Sequence, residues 1–122
     1  AKQLLDKASE AIQENPDTSF QAINARDKRY YQDDLYVFVV DLKSRKFVAH
    51  GYNRRLVGTD FQSLKSPDGT PIGQRMLDTI KTKYQGEFQY LWRNPVTTRN
   101  EHKHAYLRKV GGYMVAVGYY SR

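Results

Sequence analysis

The sequence predicts an α+β domain built around one five-stranded antiparallel sheet. Three observations lead there. Apolar residues keep helical spacing through residues 1–15, the period shifts to that of strands at residue 35, and most strand-like runs after that are joined by short turns. Strands gathered in runs, with the helices kept apart from them, suit an antiparallel sheet covered by helices rather than alternating βαβ units.

Leu4, Leu5, Ala8, Ala11 and Ile12 recur on one side of a helix over residues 2–14, with charge on the other side. Asn15-Pro16 closes it, because the residue before a proline is steered away from the α region. Asp17 or Thr18 is placed to cap a second short helix through SFQAINA, residues 19–25, whose Phe20 and Ile23 stand three apart. Residues 26–34, RDKRYYQDD, read as a polar lead-in, with the adjacent acids Asp33 and Asp34 in a solvated turn or at the start of a strand.

LYVFVVDL, residues 35–42, is β-branched and aromatic on both sides, so both faces of that strand are expected to be covered. Residues 43–45 turn the chain, and KFVAH, 46–50, returns as a second strand. Gly51, Asn53, Gly58 and the PDGTP of 67–71 punctuate a loop of about twenty residues, a length that in compact domains marks function or local structure. A helix over 72–84 follows, carrying Ile72, Met76, Leu77 and Ile80 on one side, with Gly86 placed as its C-terminal glycine. Strands over 87–93, 100–110 and 113–120 complete the chain. Asn94-Pro95-Val96-Thr97 turns the first into the second, and Gly111-Gly112 makes a hairpin of the last two.

At 122 residues, 39% of them hydrophobic, the chain reads as one domain able to bury a core. The net charge of +7 comes from 20 Lys and Arg against 13 Asp and Glu, scattered rather than gathered in a tail, so most of it reads as solvated surface. The absence of cysteine excludes thiol catalysis, thiolate metal sites and disulfides. No apolar run approaches the ~20 residues of a membrane-spanning helix, and the start lacks a leader pattern. Any leader or anchor of a parent protein is expected outside this stretch. Neither a P-loop nor a G-x-S-x-G elbow is present, and no spacing brings a base, a nucleophile and an orienting group together, so an enzyme is not expected.

DLYVFVVDL, AHGYNRRLVGTDF, PDGTPIGQRML, QGEFQYLWRNPVT, EHKHAYLRKV and MVAVGYY, in that order and spacing, resemble the single Cache domain family. These are PAS-like extracytoplasmic sensor domains of bacterial chemoreceptors, sensor kinases and stand-alone periplasmic proteins. The resemblance implies that residues 1–122 form one such domain on the outer side of a bacterial membrane. It implies a five-stranded antiparallel sheet with a long N-terminal helix on one face and a small-molecule pocket on the other, roofed by the long loop and its helix. It implies a short organic acid such as acetate or propionate as ligand, a signalling or chemotactic role, and no cofactor. It also fits a membrane-anchored parent protein, and admits a homodimer through the N-terminal helix. Arg93 and His102 depart from the family, which often has proline at both places.

Candidate site residues follow from both readings. Along their strand Phe88, Tyr90 and Trp92 point one way, either as core packing or as pocket walls that offer O–H and N–H groups. Lys103 and Tyr106 match the family's Lys-x-x-Tyr. An anion in a dry pocket needs a compensating charge, which Lys103 would supply, with Tyr106 as a neutral donor. Residues three apart face opposite sides of a regular strand, so either a bulge reconciles the pair or only one of them reaches the ligand. His50 fits the family's histidine at the end of the second strand; taken alone it reads as a structural hydrogen-bonding residue. Arg54 and Arg55, at the start of the long loop, are placed either to clamp a carboxylate or simply to face water. His102 and His104 alternate on one strand, with His50 as a conceivable third ligand, but no metalloenzyme spacing appears and no metal is expected. Binding of nucleic acid is the alternative function that the basic charge and ten tyrosines permit, although the aromatic residues alternate within strands rather than interleaving with basic ones.

Overall fold

A computed structural model describes residues 1–120. Its first helix, α1 (Lys2–Glu14), turns Leu5, Ala8 and Ile12 into the core, as their spacing requires. The second, α2 (Pro16–Asn24), starts two residues earlier than a cap at Asp17 would place it. Asn15, not Asp17 or Thr18, is the N-cap: its side-chain oxygen accepts from the Thr18 N–H at 3.2 Å, and Pro16 fills a first-turn position where no N–H is needed. Among the described residues no helix is long and apolar enough to cross a membrane.

The sheet has six strands rather than five: β1 (Tyr31–Gln32), β2 (Leu35–Asp41), β3 (Phe47–His50), β4 (Gln85–Arg93), β5 (Asn100–Val110) and β6 (Tyr113–Tyr120). All pairings are antiparallel, in the order β1-β2-β6-β5-β4, with β3 also on β2. The extra strand is two residues long and lies within the polar lead-in, after a 3₁₀ turn at Lys28–Tyr30. The third helix, α3 (Ile72–Thr82), ends before Gly86, which belongs to β4 and is not a helix cap. A side chain at Gly86 would press on Thr79 of that helix.

Both faces of the sheet are covered. Val37, Val39, Val115 and Val117 pack against Leu5, Ala8, Ile12 and Ile23 of the N-terminal helices. Tyr36, Phe38, Val40, Leu107 and Met114 pack on the other face under Phe61, Ile72, Met76 and Ile80. Alternation along β2 thus sends consecutive residues into two different cores, and burying each large side chain contributes about 1.5–3 kcal/mol. Gly73 fixes the seat of α3: a Cβ there would collide with the carbonyl oxygen of Phe61, so only glycine lets the helix approach the loop this closely.

Candidate functional site

Lys103 lies mid-β5, directly opposite Tyr90 of β4 and Tyr120 of β6, and is only 2% exposed. Its ammonium donates to the phenol oxygen of Tyr36 across the sheet at 2.6 Å. It also stands 4.5, 5.1, 5.6 and 5.8 Å from the ring centres of Tyr36, Phe38, Tyr90 and Tyr120. Aromatic faces attract a cation, and more so once it is desolvated. Rings and one phenol do not replace a counter-ion, however, and among the described residues no carboxylate forms an ion pair with Lys103. Burial accordingly pulls its amine down to about 7.

The neighbours of Lys103 are donors. Burial raises the phenols of Tyr36, Tyr90 and Tyr120 above their usual range, so all three keep their protons. Tyr120 donates to the Arg93 carbonyl at 2.9 Å, and Tyr36 and Tyr120 are close enough to interact through their hydroxyls. His50 ends β3 with its ring 4.9 Å from Tyr36 and stacked at 6.1 Å on Phe38. Its Nδ1 accepts the backbone N–H groups of Tyr52 at 3.1 Å and Asn53 at 2.8 Å. Burial, with a smaller push from Lys103, lowers its pKa to about 3. A neutral ring with Nδ1 occupied as an acceptor carries its proton on Nε2. Asn24, the last residue of α2, holds the strand in register by accepting from the His50 N–H at 2.9 Å and donating to the Val48 carbonyl at 3.2 Å.

Tyr90 is buried in this cluster, and Trp92 packs against it half-buried, with its ring edge-on to Tyr90 at 6.3 Å. Tyr106 lies elsewhere. β5 pairs residue for residue with both neighbours from Lys103 to Arg108, without a bulge, so Tyr106 faces the N-terminal helices. There it stacks on Tyr119 at 6.1 Å, which stacks on His104 at 4.9 Å, while Lys2 lies 5.5 Å from its ring. Arg54 and Arg55 are exposed in a 3₁₀ turn, Arg54–Leu56, whose Leu56 packs on the core that holds Lys103's aromatic neighbours. Among the described residues no group of His, Asp and Glu is arranged to hold a metal ion. A cleft of about 240 Å³ between α3 and the far end of the sheet is rimmed by the exposed cations Arg45, Lys81 and Lys109 and does not include Lys103.

Sequence reasoning missed Tyr36, Phe38 and Tyr120, which complete the ring around Lys103. Alternation within β2 was the available signal, since Tyr36 and Phe38 share a side. Asp34 stands at the entry to β2, the second of the two places the sequence allowed it. That acid is buried rather than solvated, and accepts from the Asn94 side chain at 3.2 Å. Asn94 is fully buried, and the same amide donates to Glu101 at 2.9 Å, joining the turn before β2 to the β4–β5 turn beside the Arg93 carbonyl.

The Cache domain family profile matches residues 4–122. A Cache chemosensory domain solved to explain carboxylic acid recognition is similar at a TM-score of 0.81 and 20% identity, over 99% of this chain and 90% of that one. A periplasmic sensor domain of a chemotaxis protein is similar at 0.76 and 22% identity, over 99% and 88%. A methyl-accepting chemotaxis protein from Vibrio parahaemolyticus RIMD 2210633 is similar at 0.81 and 18% identity, over 98% and 84%. None of the curated proteins matches.

Proposed function

The chain belongs to the Cache domain family, and from that premise we propose that it is a single extracytoplasmic sensor domain that binds a short carboxylate for signalling or chemotaxis. The observation that carries this reading is Lys103: a buried cation with O–H and N–H groups around it and no ion-paired carboxylate among the described residues. A buried charge without a counter-ion is costly, and a small anion entering beside it offsets that cost. Tyr36, Tyr90 and the Nε2–H of His50 are the neutral donors on the same face, and Trp92 closes the wall. The aromatic lining limits the ligand to a small body with a short apolar tail.

The module acts by binding rather than by catalysis. Among the described residues the strongly perturbed lysine and histidine, Lys103 and His50, serve as charge and donor, and neither meets a nucleophile or a second base. Its membrane-anchored parent and any pairing through α1 belong to the same proposal. A ligand that binds only the folded state raises stability by about 2.7 kcal/mol at a hundredfold excess over Kd. Thermal unfolding with acetate, propionate, lactate and pyruvate, against chloride at matched ionic strength, therefore tests the reading. A shift confined to one class of acid supports it, and equal shifts from all anions, chloride included, would refute it. Nucleic acid is the rival ligand for so basic a chain, and its binding would show the steep salt dependence of counter-ion release.

A further inference from the structure

The pocket-facing positions of β6 are Met114, Ala116, Gly118 and Tyr120. Gly118 sits in the sheet between Ala105 of β5 and Tyr36 of β2. Glycine weakens a strand, since it packs nothing and loses more freedom on folding than any other residue. No turn requires it here, because Gly118 does not have a positive φ. Lys103 requires it. From its place opposite Tyr120 the lysine crosses β6 diagonally to reach the Tyr36 phenol. A Cβ on Gly118 would stand well inside the contact distance of Lys103 Cε, 3.1 Å from Nζ and 3.6 Å from Cδ. Its three nearest neighbours would all be atoms of that one side chain.

We propose that Gly118 is a positioning residue for the ligand site: the bare backbone at 118 is the channel in which Lys103 lies, and it sets where the ammonium stands among the rings. Any side chain there evicts the head group toward solvent and leaves the donor set without its charge. Ligand affinity enters only through the carboxylate reading, on which this role rests; titration and stability need no ligand.

The test compares the parent with Gly118→Ala, following the Lys103 signal in isotope-labelled protein by NMR, assigned through its loss in Lys103→Met. In the parent, burial holds this amine down to about 7. In Gly118→Ala it moves by roughly a unit or more toward the ordinary lysine value, and affinity for acetate and propionate falls by about tenfold or more. Gly118→Ala lowers the melting temperature of the parent but leaves that of Lys103→Ala unchanged or higher. Parental titration and affinity in Gly118→Ala, or an equal loss of melting temperature in both backgrounds, overturns the proposal. Should Gly118→Ala alone not fold, a folded Gly118→Ala/Lys103→Ala double variant supports the proposal and an unfolded one refutes it. If the parent binds neither acid while the titration moves as stated, the carboxylate reading fails and the positioning role stands.

Discussion

The ammonium of Lys103 stands 2.6 Å from the phenol oxygen of Tyr36, inside a face of the sheet that the long loop and α3 seal from water. One neutral oxygen and four rings stabilise that charge without neutralising it. The chain therefore carries in its core a penalty, which on the proposed reading the ligand offsets.

That penalty makes stability depend on pH in a stated direction. Below about 7 both the folded and the unfolded chain hold the Lys103 proton, and the burial cost is present in full. Between about 7 and 10.5 the unfolded chain holds a proton that the folded chain has lost, so this group's contribution to stability rises with pH across that window. The phenols of Tyr36, Tyr90 and Tyr120 and the ring of His50 face the same amine, and none of them changes charge in the folded state between about pH 7 and 9. Lys103→Met is expected to exceed the parent in stability by a few kcal/mol at about pH 6, with the gap narrowing toward about pH 9. Urea unfolding of both proteins across that range reads the gap directly.

His50 sets the acid side. Its folded pKa lies near 3 against 6.5 when free, so between those values the unfolded chain binds a proton that the folded chain refuses. This contribution is fully present above about 6.5 and is lost as pH falls through that interval. His50→Ala removes this dependence and strands the Tyr52 and Asn53 N–H groups, at a cost of about 1–3 kcal/mol for each one left without water. Denaturant midpoints at neutral and mildly acidic pH separate the two effects.

Tyr36→Phe deletes the oxygen that faces the ammonium. A hydrogen bond to a charged group is worth about 1.5–3 kcal/mol, and its loss is expected to depress the Lys103 amine further. Tyr120→Phe frees the Arg93 carbonyl and costs less, about 0.5–1.5 kcal/mol. Thermal unfolding at pH 6 should rank the two in that order.

Asn94→Ala removes the amide that bridges Asp34 and Glu101, a loss of about 1–3 kcal/mol. Because the bridge joins two turns, amide exchange is expected to rise at both the Asp33-Asp34 turn and the 94–99 turn in this one variant. Exchange confined to the 94–99 turn would mean that the bridge is not what couples them.

Periodicity made most of this fold legible. Leu5, Ala8 and Ile12 announced α1, Gly111-Gly112 announced the last hairpin, and apolar residues on both sides of β2 announced a sheet covered on both faces. Short-range competition was harder to read. Asn15 was visible as the end of one helix, but not as the cap of the next. β1 has two residues and is held by backbone pairing, which leaves no side-chain pattern. Of the cluster proposed as the site, the placing of Lys103 beside Tyr90 was legible within one hairpin. Tyr36 and Gly118 were not: alternation tells which side of β2 Tyr36 takes, but strand order is what brings both residues beside Lys103, and no local pattern encodes that order. Tyr106 shows the limit of a spacing match, since an unbulged strand sends it to the opposite face from Lys103.

Isothermal calorimetry of the parent and of Lys103→Met with acetate and propionate at pH 6 tests the central claim most directly, because it removes the buried charge and little else. Saturable one-to-one binding by the parent, absent from a folded Lys103→Met, is the predicted result. Equal affinity in the two proteins would contradict the account and leave Lys103 with no part in the ligand.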